Sequence, residues 1–150
     1  MTYAPKDPGY RERVTASFVR QQAMMTLGIT LADVQPGLVE LTMPRSEPLT
    51  QQHGFMHAGI IATALDSACG YAAFSLMPAD AAVLTVEYKI NLLAPAAGDA
   101  FVFRSTVVKP GRTITVCDGR AYAVRGSNET LIATMTGTMM ALFNRAGIQQ

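Results

Sequence analysis

Asp66 is the residue whose position in this chain most strongly suggests chemistry. It is the only charged side chain between Glu47 and Asp80, in a segment dominated by small and apolar residues. A carboxylate in such surroundings costs stability unless it is hydrogen-bonded or reaches a cleft. Two interpretations follow from the residues alone. Asp66 is either a structural residue satisfied by a hydroxyl or a backbone amide, or a reactive carboxylate that works as a base or nucleophile.

The start of the same apolar segment holds a second group of interest, formed by His57, Ala58 and Gly59. The first backbone amides of a helix lack partners inside it and point toward anionic groups, so this position is a candidate oxyanion hole. One such donor is worth about 2.7 to 4 kcal/mol when charge develops on a carbonyl oxygen. Asp66 lies about two turns further along, too far to serve the same carbonyl within one subunit. A two-fold dimer would bring one subunit's helix start opposite the other's carboxylate.

The segment 58–77 is predicted to be a long central helix wrapped by protein. It is apolar enough to be compared with a membrane span, but it has Asp66 near its centre and no flanking Lys or Arg. Both features argue against membrane insertion. Small residues would let a thin substrate or another backbone approach the carboxylate; they are Ala62, Thr63, Ala64, Ser67 and Gly70.

Turn-forming residues and apolar periodicity predict the remaining elements. Asp7-Pro8, followed by apolar residues at helical spacing, predicts an amphipathic helix over about residues 8–27. Pro36-Gly37 and later Pro and Gly residues mark turns between β-prone runs. These strands are predicted at about residues 29–34, 38–43, 82–92, 99–109, 112–124 and 130–142.

Strict alternation along the run 82–92 makes a further prediction about the faces of that strand. Val86, Tyr88 and Ile90 are expected to share one face. The opposite face is expected to carry Thr85, Glu87, Lys89 and Asn91.

The predicted elements combine into one architecture. An antiparallel sheet must bury one face, and segment 58–77 is the only helix apolar enough to cover it. The predicted fold is therefore α+β, with an antiparallel sheet of about six strands wrapped round one long central helix. The amino-terminal helix would cover an edge or end, and residues 1–150 would form a single domain.

Composition argues against several classes of function. A formal net charge of +1 with dispersed Lys and Arg offers no broad basic surface, so no nucleic acid partner is expected. The charged amino terminus does not resemble a secretory signal, and Cys69 and Cys117 lie far apart in apolar segments. Both features favour a reducing, cytoplasmic location. His53 and His57 are the only histidines, with no Cys, Asp or Glu beside them, so no metal site is expected.

Three segments resemble those of a known family: QQHGFMHAGIIATALDSACGYAAFS, LTVEYKINLLAPAAGD and VVKPGRTITV. They are similar to the hotdog-fold acyl-CoA thioesterases of the phenylacetate-degradation, or PaaI-like, type. The likeness runs from about Gly28 to the carboxyl end. Those proteins show an Asn shortly before a His-Gly-Gly sequence, then an Asp in the central helix. The patterns INxLxPxxxGD and KxGR recur downstream.

The resemblance implies a role for each matching residue. Asp66 falls on the family's catalytic acid, which serves as general base or nucleophile, and Thr85 falls where a Ser or Thr orients the attacking water. His57, Ala58 and Gly59 fall on the family's His-Gly-Gly. The Ala58 amide would then polarise the thioester carbonyl, and His57 would fix the loop by hydrogen bonding.

Two positions depart from the family pattern. Gln51 stands where the family has Asn and is one methylene longer; by resemblance it would position the water or the acyl carbonyl. Ala58 replaces the first Gly, and its Cβ would cost about 1 kcal/mol or more if the turn required a positive φ. Both departures bear on water geometry and rate more than on the reaction class.

The resemblance also implies a substrate and an assembly. The reaction would be hydrolysis of a fatty-acyl or aryl-acyl thioester to free acid and CoA, with no cofactor because CoA belongs to the substrate. The enzyme would be a homodimer, or a dimer of dimers, with its active site at the subunit interface. Lys109, Arg112 and Arg125 are the candidate contacts for the CoA nucleotide.

Two other functions are compatible with the same fold. An enoyl-thioester hydratase would be expected to pair an acid with a downstream His, but none follows His57. A hotdog module that binds acyl-CoA without turning it over stays open as the alternative.

Overall fold

A computed structural model of the chain describes residues 3–144 and 147–148. Its elements follow the predicted order of helix, hairpin, long helix and four strands. In chain order they are α1 (Tyr10–Phe18), α2 (Gln22–Leu27), β1 (Thr30–Gln35), β2 (Leu38–Pro44), a short 3-10 turn (Glu47–Leu49), α3 (Ala58–Phe74), β3 (Ala81–Leu92), β4 (Ala100–Lys109), β5 (Ile114–Arg125) and β6 (Asn128–Phe143).

The strands form one antiparallel sheet of six strands in the order β1-β2-β4-β5-β6-β3. Glycine suits the turn of the first hairpin, because Gly37 has a φ of +76°. The Gly37 carbonyl also accepts a hydrogen bond from the Val107 amide at 2.8 Å. The β1 and β3 strands form the two edges of the sheet. None of the other described strands pairs with the outer edge of β3, so this edge can pair with another strand.

The central helix α3 packs against strands β2 to β6 and forms the core with them. Its buried face is built from small residues, including Ala64, Ala68 and Ala72, which lets the sheet approach closely. A side chain at Gly119 of β5 would place its Cβ only 3.1 Å from the sulfur of Cys69. The predicted sheet wrapped round one helix is confirmed. No helix within residues 3–144 is long and apolar enough to cross a membrane.

The amino-terminal helix predicted over residues 8–27 is wrong in one respect, because two short helices replace it. The chain leaves the helical path after Phe18, and Gln21 takes an extended ψ of 93° before α2 begins. This break lets Phe18 and Met24 both reach the core. No Gly or Pro marks the break, so the sequence pattern alone did not reveal it.

The central helix also ends earlier than predicted, at Phe74 instead of residue 77. Ser75 explains this end, because its hydroxyl donates to the Ala72 carbonyl at 2.7 Å and accepts from the Gly37 amide at 2.8 Å. The side chain thereby competes with continued helical hydrogen bonding and ties the helix end to the first hairpin.

The predicted faces of β3 require a correction. A bulge lies between Thr85 and Glu87, where the pairing with β6 shifts register. Thr85 therefore faces α3, on the same side as Ile90, which packs against the core. Glu87 turns outward and accepts a hydrogen bond from Thr138. A bulge inserts one residue and re-aims the side chains beside it, which strict alternation cannot anticipate.

Candidate functional site

Asp66 lies half-buried in the middle of α3 and is held by one specific contact. The Thr85 hydroxyl, reaching across from β3, donates a hydrogen bond of 2.8 Å to Oδ1 of Asp66. Burial raises the pKa of Asp66 above its ordinary value, and the Thr85 hydrogen bond offsets part of that rise. A carboxylate with a raised pKa is a better general base near neutral pH than an exposed one.

A cavity of about 240 Å³ opens beside this carboxylate, so Asp66 is not sealed inside the protein. Hydroxyl and carboxamide groups share its wall with the acid. The lining residues are Gln21, Asp66, Ser67, Gly70, Tyr71, Val83, Leu84 and Thr85.

The start of α3 is capped by its own preceding side chain. His57 is the N-cap residue, and its Nδ1 accepts a hydrogen bond of 2.9 Å from the Gly59 amide. That bond occupies the Gly59 amide, so the prediction that Gly59 contributes to an oxyanion hole is not supported by this geometry. The Ala58 amide, at the first helical position, is the remaining candidate donor.

Ala58 replaces glycine without backbone strain. Among the non-glycine residues within the described ranges, only Asn144 has a positive φ. Ala58 is instead an ordinary first residue of α3 and lies at the surface. Gly59, in contrast, leaves little room for a side chain, since a Cβ there would lie 3.1 Å from Nδ1 of His57.

Gln51 lies in the loop that leads into α3. Its side-chain carbonyl accepts a hydrogen bond from the His53 amide, and its own backbone amide donates to the Phe55 carbonyl at 2.8 Å. Gln51 and Ala58 line a second cavity of about 290 Å³. The wall of this second cavity is largely apolar and includes Leu92. The structure thus brings Gln51 and Ala58 together, while His53 is exposed.

The two cavities are separate within one subunit. Ala58 and Asp66 lie about 12 Å apart along α3 by helical geometry. The cavity at Asp66 borders the start of β3 at Thr85, whereas the cavity at Ala58 borders its end at Leu92. One subunit therefore places its two predicted reactive groups at different ends of the same strand.

The three basic residues predicted to contact a nucleotide are not brought together either. Lys109 ends β4, and Arg112 follows in the turn to β5. Arg125 lies at the far end of β5, roughly 40 Å away for a strand of that length. All three are exposed. Within the described residues, no group of three or more His, Cys, Asp and Glu side chains could hold a metal ion.

Two polar residues of the Asp66 cavity were missed by sequence reasoning. Gln21 comes from the segment between α1 and α2, and Tyr71 comes from the next turn of α3. Nothing in the local pattern distinguished Gln21 from its neighbours, because it was expected to lie inside a continuous helix. Tyr71 follows Asp66 by five residues, a spacing that does not place two side chains on the same face of a helix, so no local pattern pointed to Tyr71 either.

Comparison with known proteins shows the family of this chain. The model of the thioesterase superfamily matches residues 53–129. A candidate esterase of Halobacterium salinarum is 33% identical over 108 residues, which cover 68% of this chain and 71% of that protein. The chain therefore belongs to the thioesterase superfamily.

Solved structures extend the likeness to the whole fold. A thioesterase family protein from Silicibacter pomeroyi is 60% identical, with a TM-score of 0.89 over 91% of this chain and 100% of that one. The PaaI protein of the E. coli phenylacetic acid degradation operon is 20% identical, with a TM-score of 0.81 over 91% of this chain and 96% of that one. The fold is that of the hotdog thioesterases.

Proposed function

We propose that this protein is an acyl-CoA thioesterase that hydrolyses a fatty-acyl or aryl-acyl thioester to free acid and CoA. The observation that carries the proposal is the half-buried Asp66, hydrogen-bonded to Thr85 beside an open cavity. A raised pKa and an accessible position together suit a general base. CoA is part of the substrate, so the reaction needs no cofactor.

The free edge of β3 supports a homodimer as the active form. Apolar side chains on this strand are unusually exposed, with Val86 at 52% and Leu92 at 57%. An unpaired strand of this length and character favours pairing with another strand. Antiparallel pairing of β3 with its copy, about a two-fold axis near Tyr88, would set Leu84 opposite Leu92 of the partner subunit. The same dimers could associate further into a dimer of dimers.

This pairing would complete the active site. The cavity at Asp66 borders Leu84, and the cavity at Ala58 borders Leu92, so the two-fold axis would join one subunit's acid to the partner's amide. The substrate thioester would then lie between them. Lys109 and Arg112 of one subunit and Arg125 of the partner subunit would flank the joined cavities, where they could meet the phosphates of CoA.

The proposed reaction assigns one task to each group. Asp66 takes a proton from a water molecule, whose oxygen attacks the thioester carbonyl carbon. The partner's Ala58 amide stabilises the negative charge on the carbonyl oxygen. The carbon–sulfur bond then breaks, and the thiolate of CoA receives the proton from Asp66. Thr85 orients the carboxylate for this transfer, and Gln51 helps to position the water or the acyl carbonyl. His57 holds the helix start in place through its cap.

We also propose a cytoplasmic location. Cys69 and Cys117 are both buried, and both are free thiols. Burial raises the pKa of Cys69 to about 12, which leaves it protonated and unreactive at neutral pH. Free thiols are typical of a reducing compartment.

Release of free thiol from a panel of acyl-CoAs tests the proposed function. Wild type should release thiol, and Asp66→Asn should be at least about a hundredfold slower. Asp118→Asn is the matched control, because Asp118 is an exposed acid that binds Thr136 on the other face of the sheet. It should retain wild-type activity. Binding of acyl-CoA without thiol release from any chain length or aryl group would instead favour a non-catalytic module.

A further inference from the structure

Two acceptors lie within hydrogen-bond reach of the Thr85 hydroxyl, which has a single hydrogen to donate. One acceptor is Oδ1 of Asp66 at 2.8 Å, and the other is the sulfur of Met139 at 3.4 Å. The longer distance is ordinary for sulfur, because sulfur is a larger atom than oxygen. The proposed reaction uses only the contact with Asp66, so the contact with Met139 needs its own explanation.

The packing of Met139 keeps its sulfur at this position. Met139 lies opposite Thr85 in the pairing of β6 with β3, and its side chain is fully buried. The terminal methyl group lies over Gly137, where a Cβ would come within 2.8 Å of Cε. Because Gly137 has no side chain, the methyl group fits there while the sulfur contacts the Thr85 hydroxyl.

The charge state of Asp66 decides which acceptor the Thr85 hydrogen faces. An ionised carboxylate is a much stronger acceptor than a thioether, so Thr85 then donates to Asp66. A protonated carboxyl group with its hydrogen on Oδ1 is itself a donor, and the Thr85 oxygen has lone pairs that can accept this hydrogen. The Thr85 hydrogen must then turn away, and the thioether sulfur of Met139 is an acceptor with no hydrogen of its own.

We propose that Met139 is a positioning residue that acts on Asp66 through Thr85: its sulfur accepts the Thr85 hydrogen when Asp66 carries a proton, and this stabilises the protonated base. No covalent bond changes at Thr85 or Met139, since only the direction of the hydroxyl hydrogen changes. The inference rests on the proposed thioesterase function, because it concerns the form of Asp66 that has just taken a proton from water.

The other ionisable groups of the surrounding elements do not compete for this role. Cys69 and Tyr71 lie on α3, and burial raises the pKa of each, so both stay neutral in the acidic range. Arg20 keeps its charge, because a guanidinium is not deprotonated in proteins. In the proposed dimer, His57 of the partner subunit would lie across the joined cavities, and it is unchanged in every variant used below. The charged groups of β3, β5 and β6 on the outer face of the sheet are Glu87, Lys89, Asp118, Arg120 and Glu129.

Carbon NMR of protein made with carboxyl-labelled aspartate measures the pKa of Asp66 without any substrate. Met139→Leu keeps an apolar side chain of similar volume and removes the sulfur. The acid dissociation constant of Asp66 should rise about two- to fivefold, as expected for the loss of one weak hydrogen bond to the protonated form, so its pKa should fall. The acidic limb of the kcat/KM profile should move to lower pH with it.

Two comparisons show whether the effect passes through Thr85. In a Thr85→Ala background, Met139→Leu should leave the pKa of Asp66 unchanged, because the hydroxyl that joins the two side chains is gone. Met135→Leu is the matched control, since Met135 is also buried on β6 but pairs with Ile90 and Gly119. It should leave the pKa of Asp66 unchanged in either background.

A second variant covers the case in which Met139→Leu folds poorly. Norleucine incorporated in place of methionine keeps the shape of the side chain and replaces the sulfur with a methylene group, and it should lower the pKa of Asp66 in the same way. An unchanged or raised pKa in the norleucine protein, or in folded Met139→Leu, would overturn the inference. A lowering that persists without the Thr85 hydroxyl would also overturn it, because packing alone would then explain the effect.

The NMR titration separates this inference from the proposed hydrolysis, since it needs no turnover. If wild type releases no thiol but Met139→Leu lowers the pKa of Asp66, the hydrolysis proposal fails and the action of Met139 on Asp66 stands. If wild type releases thiol and Met139→Leu leaves that pKa unchanged, the thioesterase proposal stands and the role of Met139 fails.

Discussion

Thr85 on an edge strand hydrogen-bonds Asp66 on the central helix at 2.8 Å, and a β-bulge makes this contact possible. Without the bulge after Thr85, regular alternation would place Thr85 on the opposite face from Ile90, away from α3. Bulges are common beside active sites because they re-aim single side chains. The bulge in β3 therefore places the hydroxyl that holds the candidate base.

Removal of the Thr85 hydroxyl should change the pH dependence of the reaction. The hydrogen bond from Thr85 lowers the pKa of Asp66, so Thr85→Ala should raise that pKa further. The acidic limb of the kcat/KM profile should then move to higher pH, with a smaller loss at its plateau than Asp66→Asn shows. Thr85→Ser keeps the hydroxyl and should retain the wild-type profile. An unchanged acidic limb in Thr85→Ala would mean that another group controls it.

Proline at position 58 tests the proposed oxyanion donor with little disturbance of the fold. Proline is favoured at the first helical position, and His57 has the extended φ of −63° and ψ of 136° that a residue before proline adopts. Ala58→Pro removes only the amide hydrogen at issue and should lower kcat about a hundred- to a thousandfold. Ala58→Gly keeps the amide and should remain near wild type. Full activity in Ala58→Pro would exclude this amide as the donor.

Asp66→Asn should stabilise the fold at neutral pH while it removes activity. Burial raises the pKa of Asp66 from its ordinary 3.8, so the folded chain holds this proton more tightly than the unfolded chain. Protonated Asp66 therefore stabilises the fold at low pH. This contribution to the free energy of unfolding is lost as the pH rises from the ordinary pKa through the raised pKa of the folded chain. The variant should melt at a higher temperature than wild type at about pH 7, and the difference should shrink toward about pH 4. A lower melting temperature of Asp66→Asn than of wild type at neutral pH would contradict the destabilisation by the buried charged carboxylate.

The fold was largely predictable from sequence, whereas two features of the site were not. Turn residues such as Pro36-Gly37 and the apolar run of α3 are local signals, and both elements appear where they were expected. The break before Gln21 and the bulge at Thr85 depend on contacts with α3, which lie far away in sequence. Propensity and periodicity report local preference, and tertiary packing overrode them at both places.

Arg13 should anchor the amino-terminal helices to the end of α3. Its Nη2 donates to the carbonyl of Met77 at 2.7 Å and to that of Phe74 at 3.3 Å, and its Nε pairs with Asp7 at 2.8 Å. Nη1 of Arg13 has no hydrogen-bond partner among the described residues, which reduces the stability that Arg13 contributes. Arg13→Met should lower the free energy of unfolding by about 2 kcal/mol in urea titrations.

Arg11→Met is the matched control for this prediction. Arg11 and Asp33 lie 3.8 Å apart with both side chains largely exposed, so its loss should cost less than about 0.5 kcal/mol. Equal effects of the two substitutions would show that the contact at the end of α3 contributes nothing specific.

Activity of a mixed assembly tests most directly whether each active site combines two subunits. Asp66→Asn and Ala58→Pro are each expected to be inactive alone. When the two variants are co-expressed at equal levels, about one quarter of the cross-subunit sites pair an intact Asp66 with the partner's intact Ala58 amide. Thiol release from the mixture should therefore reach about a quarter of the wild-type rate. A mixture no more active than its two parents would contradict the shared site.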